Sequence, residues 1–255
     1  MTRIAVLGLG EAGSRIASDL AAAGADVRGY DPAGVEALGV AVVPDIATAV
    51  RGCEVVLSLN AAKAALDVAR AAFPALEPGT VYADLNTASP QRKQEIARCA
   101  VDAGRLFADV ALLGAVPARG VATPALASGA GAQAFADAFR PYGMQVQVVS
   151  DRAGDAAAMK LVRSVFMKGL AAAAIESIEA AEASGHADWL RGEIAAVIGE
   201  PLLERLLEGS RRHAERRTDE MEAARKLLVE LGVEPRIAAA SAAVLASLAG
   251  APREP

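Results

Sequence analysis

Cysteine and histidine are scarce in this 255-residue chain, which holds two of each: Cys53, Cys99, His186 and His213. They form no CxxC pair, and neither histidine lies near a cysteine in sequence, so no zinc-type ligand set can be assembled and no metal is expected. Aromatic residues are only 4%. The core must then be packed by alanine and aliphatic side chains, which suits closely approaching helices better than a β-sandwich. A surplus of positive charge is missing too: 26 Lys and Arg stand against 31 Asp and Glu, a net charge of −5, which argues against a general nucleic-acid binder. No apolar run reaches the roughly 18 residues of a membrane span, and Met1 leads into Arg3-Ile4-Ala5-Val6-Leu7 with no signal-peptide pattern, so a cytoplasmic protein with no membrane partner is expected. Disorder is also excluded, because 53% of residues are hydrophobic and only 22% charged.

Residues 3–7 (RIAVL) form a short apolar run that ends at a glycine, and Ile16 and Leu20 then keep helical spacing. The same strand-turn-helix pattern returns at 26–30 (DVRGY), weakly at 40–43, and at 54–59 (EVVLSL), 80–84 (TVYAD) and 105–110 (RLFADV). Two more strands are predicted at 124–128 and 145–149, with a helix at 131–139 between them. Such alternation implies parallel strands joined by right-handed crossovers, an α/β doubly wound Rossmann-type sheet. After Gly154 the alternation stops, so a dinucleotide-type domain over 1–153 and an all-helical domain over 154–255 are predicted. Residues 155–183 contain one glycine and no proline, enough for a single helix of about 44 Å linking the two. Further helices are predicted at 187–198, 201–207, 210–231 and 235–248, the last two separated by Gly232 and Pro235.

The first turn reads Gly8-Leu9-Gly10-Glu11-Ala12-Gly13, a GxGxxG between strand and helix, with Asp31 ending the second strand. With 23 glycines in the chain, chance alone yields roughly 0.2 such matches, so the structural context carries the signal. Gly8 permits the tight turn, Gly10 lets backbone approach a pyrophosphate, Gly13 lets the helix pack on the strand, and the helix N-terminus holds the anion. Asp31 would take the ribose hydroxyls. A carboxylate there repels a 2′-phosphate, and Pro32-Ala33-Gly34 offers no cation to accept one, so NAD is favoured over NADP. The plainer reading of Asp31 is a turn-initiating residue before Pro32.

These features resemble the β-hydroxyacid dehydrogenase superfamily of 3-hydroxyisobutyrate and 6-phosphogluconate dehydrogenases, over most of the chain. The family's opening GLGxMG is here GLGEAG, and its DxSTxxP segment is Asp84-Leu85-Asn86-Thr87-Ala88-Ser89-Pro90. Its substrate-binding DAPVSGG aligns with Asp109-Val110-Ala111-Leu112-Leu113-Gly114-Ala115, where only Asp109 and Gly114 are kept and Leu113 replaces the carboxylate-binding serine. Its catalytic GxGxxxKxxNN aligns with Gly154 to Ser164, keeping the lysine as Lys160 but replacing both asparagines, by Arg163 and Ser164. The stretch beyond Lys160 is similar to a branch whose C-terminal domain has no described function. The resemblance implies cofactor contacts from the glycine loop, Asp31, Leu59, Asn60 and Asn86, substrate contacts from Thr87, Leu113, Gly114 and Ser164, and pairing of two copies through the helical domain.

Hydride exchange between an alcohol carbon and nicotinamide leaves one proton to be moved on the oxygen. A lysine desolvated on an apolar helix can move it, which the resemblance assigns to Lys160, with Ser164 one turn on and Lys168 repeating the spacing. Spacing alone favours a lysine whose stem covers apolar surface. Arg211, Arg212, Arg216 and Arg217 alternate with Glu215, Asp219 and Glu220, which reads as a solvated, ion-paired face, or alternatively as the source of one anion-holding arginine. The resulting expectation is an NAD(P)-dependent oxidoreductase acting on a small hydroxy compound. Its rivals are an imine reductase on the same scaffold and a non-catalytic dinucleotide-binding protein.

Overall fold

A computed structural model of the chain describes residues 2–250. The chain divides after Ala158 into two compact units. In the first, the strands are β1 Arg3–Leu7, β2 Asp26–Tyr30, β3 Ala41–Val42, β4 Val55–Ser58, β5 Val81–Asp84, β6 Leu106–Leu112, β7 Ala125–Ser128 and β8 Val146–Ser150. Its helices are α1 Glu11–Ala22, α2 Ile46–Val50, α3 Ala65–Ala72, α4 Pro90–Asp102, α5 Val116–Arg119 and α6 Ala132–Phe139. The strands form one sheet in the order β3-β2-β1-β4-β5-β6-β7-β8, the doubly wound α/β architecture expected.

Strand period places alternate residues of each strand on opposite faces. Ile4 and Val6 of β1 pack with Ile16 and Leu20 of α1 and with Phe135 and Phe139 of α6. Ala5 and Leu7 face the other way, against Leu66 and Ala69 of α3 and Ile96 of α4. Each large aliphatic side chain so buried contributes about 1.5–3 kcal/mol, and with helices on both faces, ligands in such sheets bind at the carboxyl ends of the strands.

One pairing departs from the expected parallel pattern: β7 runs antiparallel to β6. The connection between them holds only the four-residue α5 and a single 3-10 turn at 120–122. A parallel return usually carries a helix long enough to cover the sheet, which this connection lacks, and the chain turns back instead.

The second unit takes in most of α7 Asp155–Ala183, followed by α8 Ala187–Ile198, α9 Glu200–Arg212, α10 Ala214–Glu230 and α11 Arg236–Ala249. Its core joins Ala174, Ile175 and Ile178 of α7 to Leu203 and Leu207 of α9 and to Val244 and Leu248 of α11. The predicted break between the helices over 201–207 and 210–231 falls later, at His213 (φ −125°). Neither Gly nor Pro marks that break in the sequence. The buried Ser210, inside α9, donates to the Leu206 carbonyl and accepts a 2.6 Å hydrogen bond from Arg217 of α10. No described helix is long and apolar enough to cross a membrane.

Candidate functional site

The sheet order reverses direction between β1 and β4, and the loops leaving those two strands touch. Gly8 has φ +101°, and a Cβ on it would lie 2.5 Å from the Leu59 carbonyl oxygen, so the turn can be made only by glycine. At Gly13 a Cβ would fall 1.9 Å from the Gly8 carbonyl oxygen, which is what lets α1 start directly over β1. Gly10 differs from both: no atom lies within 4 Å of where its Cβ would be. No side chain caps the N-terminus of α1, and Glu11 and Gly10 are exposed while Ala12 is half-buried. Unsatisfied amides beside open space at a helix N-terminus fit an anion such as a pyrophosphate.

Asp31 lies against this loop. Its Oδ2 accepts the Leu9 amide at 2.8 Å and its Oδ1 accepts the Ala33 amide at 2.9 Å. Asp31 therefore holds the turn before Ala33 and braces the glycine loop at once. Beyond β4, Asn60 donates to Ser58 Oγ at 2.9 Å, and Asn86 Nδ2 reaches Ser58 Oγ at 3.1 Å, Asn60 Oδ1 at 3.3 Å and, more closely still, Asp84 Oδ1. Asn86 is buried in this network, while Leu59, Asn60 and Thr87 are half-buried. Ser89 caps α4 by accepting the Arg92 amide, so the capping role and the neighbouring polar network coexist in one segment.

A residue passed over in the sequence connects these parts. Ser58, Asp84, Asp109 and Ser128 occupy one register row across β4, β5, β6 and β7. Lys93 of α4 reaches Asp84 Oδ2 at 2.9 Å, the Asp84 carbonyl at 2.7 Å and Asp109 Oδ1 at 3.2 Å, with all three residues at most 1% exposed. Burial opposes the Lys93 charge, but Asp84 and Asp109 outweigh it and raise its pKa. An unpaired ion in such a position costs several kcal/mol, so the cluster holds only as a set. One signal could have revealed it: Lys93 sits on the inward stripe Pro90, Lys93, Ile96, Ala100 of α4, where a charge is out of place.

Leu113 is half-buried and packs with Ala111, Leu126 and Ala156, and Gly114 is exposed. In the second unit, Lys160 is half-buried. Ser164 was expected to meet substrate, but it is 1% exposed and its hydroxyl donates to Glu220 Oε1 of α10 at 2.5 Å. In this arrangement it orders that carboxylate. Lys168 approaches the same oxygen at 3.1 Å and Ser164 Oγ at 3.3 Å. Glu220 had been assigned to the solvated face; Glu215 and Asp219 are exposed, but Glu220 turns inward to these partners. Burial favours its neutral form, yet Lys168, Lys160 and the Ser164 hydrogen bond together hold its pKa below the ordinary 4.5. Lys168 is pulled below the ordinary 10.5 by burial, against the opposing pull of Glu220. Of the four arginines, Arg217 is the one that turns inward, onto Ser210. No cluster of three or more metal-ligating side chains occurs among the described residues.

Residues 3–148 match the NAD binding domain of 6-phosphogluconate dehydrogenase, and residues 181–248 match a domain of unknown function, DUF1932. A probable 3-hydroxyisobutyrate dehydrogenase of Mycobacterium bovis is 34% identical over 138 residues, 51% of this chain and 46% of that protein. Among solved structures, a conserved hypothetical protein from Sinorhizobium meliloti 1021 shares 29% identity at TM-score 0.74, covering 96% of this chain and 88% of that one. The fold is also that of the Mycobacterium tuberculosis 3-hydroxyisobutyrate dehydrogenase solved with L-serine, with TM-score 0.81, 23% identity and coverage of 98% and 94%.

Proposed function

The chain belongs to the NAD-binding oxidoreductase family of 6-phosphogluconate dehydrogenase, and on that premise we propose that it transfers hydride between NAD and a small hydroxy compound, with Lys160 moving the proton. The observation that carries this reading is the loop at residues 8–13, where open space at Gly10, an uncapped α1 N-terminus and the Asp31 carboxylate meet. The loop amides hold the pyrophosphate and Asp31 the adenine ribose, while Leu59, Asn60 and Asn86 serve the cofactor's other end. The nicotinamide, when bound, supplies or accepts the hydride. Lys160 takes a proton from the substrate hydroxyl in oxidation and returns it in reduction. Thr87, Leu113, Gly114 and Ser164 are assigned to substrate. Leu113 brings an apolar side chain where the related enzymes carry a carboxylate-binding serine, which favours a substrate less dependent on a hydroxyl partner.

The test is nicotinamide absorbance with a panel of hydroxyacids, aldehydes and cyclic imines, followed by Lys160→Met. That variant should bind NAD as the parent does while kcat falls roughly 10²–10⁴-fold, the range for a positioned acid or base. Normal turnover by Lys160→Met defeats the assignment, and turnover of imines alone moves the protein to imine reduction.

A further inference from the structure

Neither Asp84, Lys93 nor Asp109 has a part in the reaction just described, yet each of their charged atoms is committed. Asp109 Oδ2 accepts the amides of Gly154 at 3.1 Å and Ala157 at 3.0 Å and the Ser128 hydroxyl at 3.1 Å. Ser128 Oγ in turn accepts the Ala156 amide at 3.0 Å. The first turn of α7 is therefore capped from β6 and β7, not by a side chain of its own N-terminal residue. The residue just before the helix is Gly154, with φ +101°, and a Cβ on it would press to 2.9 Å on the Pro90 carbonyl at the start of α4. On the other side, Asp84 Oδ1 binds the amide and side chain of Asn86, which bonds Ser58 and Asn60.

We propose that Lys93 is a positioning residue: its buried ammonium fixes the Asn86 and Asn60 side chains through Asp84, and the first turn of α7 through Asp109. Asp84 and Asp109 are register partners on neighbouring strands. Two buried carboxylates side by side stay ionised together only with a cation between them, and Lys93 is within ion-pair distance of both. The partial positive charge of the α7 N-terminus offsets part of the negative charge that remains. Without the ammonium, the two carboxylates face each other with no cation between them, and both segments lose a fixed anchor. Lys160 follows Ala157 by three residues on α7. The activity arm of the test rests on the function proposed above; the exchange arm does not.

In full-length Lys93→Met, held well below its melting temperature, the amides of Gly154, Ala156 and Ala157 should exchange with deuterium about tenfold faster or more, with α1 unchanged. Unchanged protection at those three amides overturns the proposal. NAD affinity should weaken by less than about tenfold, because Asn60 and Asn86 loosen while the glycine loop and Asp31 lie outside the cluster, and kcat should fall about ten- to a hundredfold. A charge-free counterpart, Asp84→Asn with Lys93→Met and Asp109→Asn, removes the repulsion that Lys93→Met leaves behind and should regain thermal stability. Low kcat in that stable protein supports positioning; kcat that recovers together with stability shows the cluster to be packing alone and overturns it. If the unaltered protein binds NAD but turns over nothing, the functional reading fails and the exchange rates alone decide the role of Lys93.

Discussion

Both carboxylate oxygens of Asp31 accept a backbone amide, one from the glycine loop at Leu9 and one from the turn at Ala33. A carboxylate oxygen has a second lone pair to offer, so a ribose diol can be received without either bond being released. A 2′-phosphate brings two negative charges to the same place. NADP should accordingly bind at least tenfold more weakly than NAD, about 1.4 kcal/mol. Asp31→Ala should narrow that gap from both sides, losing NAD affinity and relieving the repulsion of NADP. Titration of each dinucleotide by fluorescence reads both constants, and equal affinities in the unaltered protein would sink the cofactor assignment.

Between elements, α7 and α10 are joined by the buried pair of Lys168 and Glu220, with Ser164 between them. Removing one partner strands the other charge, and Glu220→Gln should cost about 3 kcal/mol, the low end for such pairs because Lys168 keeps some contact with water. The pH dependence has a definite sign. The folded-state pKa of Glu220 lies below its ordinary 4.5, so its contribution is complete above pH 4.5 and is lost as the pH falls through the lowered value. Melting temperatures taken from pH 7 down to pH 3 should fall more steeply for the parent than for Glu220→Gln. Parallel curves for the two proteins would mean that the carboxylate is not ionised in the folded state.

For the whole molecule, the proposal is a homodimer formed through the helical unit. On the last helix, Val244, Leu245 and Leu248 are taken up by the unit's own packing, and Ile237 is left exposed. The case now rests more on α7, where Met159, Val162 and Phe166 follow helical spacing along one stripe and Phe166 is 70% exposed. Apolar stripes of this kind are usually covered. Light scattering at micromolar concentration should give twice the 25.9 kDa chain mass, with an interface above about 2,000 Å² in total and no dissociation short of unfolding. A mass of one chain that persists on concentration contradicts it, and Phe166→Glu should produce that mass if the stripe is the contact.

Local rules made much of this protein readable from its residues alone. The strand-turn-helix rhythm, the glycine loop and the uninterrupted run 155–183 each depend on neighbours a few positions apart, and backbone sterics and side-chain period act over that range. The reversal of β7 was hidden because it depends on whether the 113–124 connection carries a helix long enough to cover the sheet. Lys93 carried no motif signal in the sequence, Asp84 and Asp109 looked like two motif acids, and Glu220 like one more charge on a solvated helix. Their roles depend on which charges become neighbours once water is excluded, across separations of 9, 25 and 56 residues between Asp84 and Lys93, Asp84 and Asp109, and Ser164 and Glu220. Desolvation makes such pairings obligatory, and only the folded chain determines which groups are desolvated together.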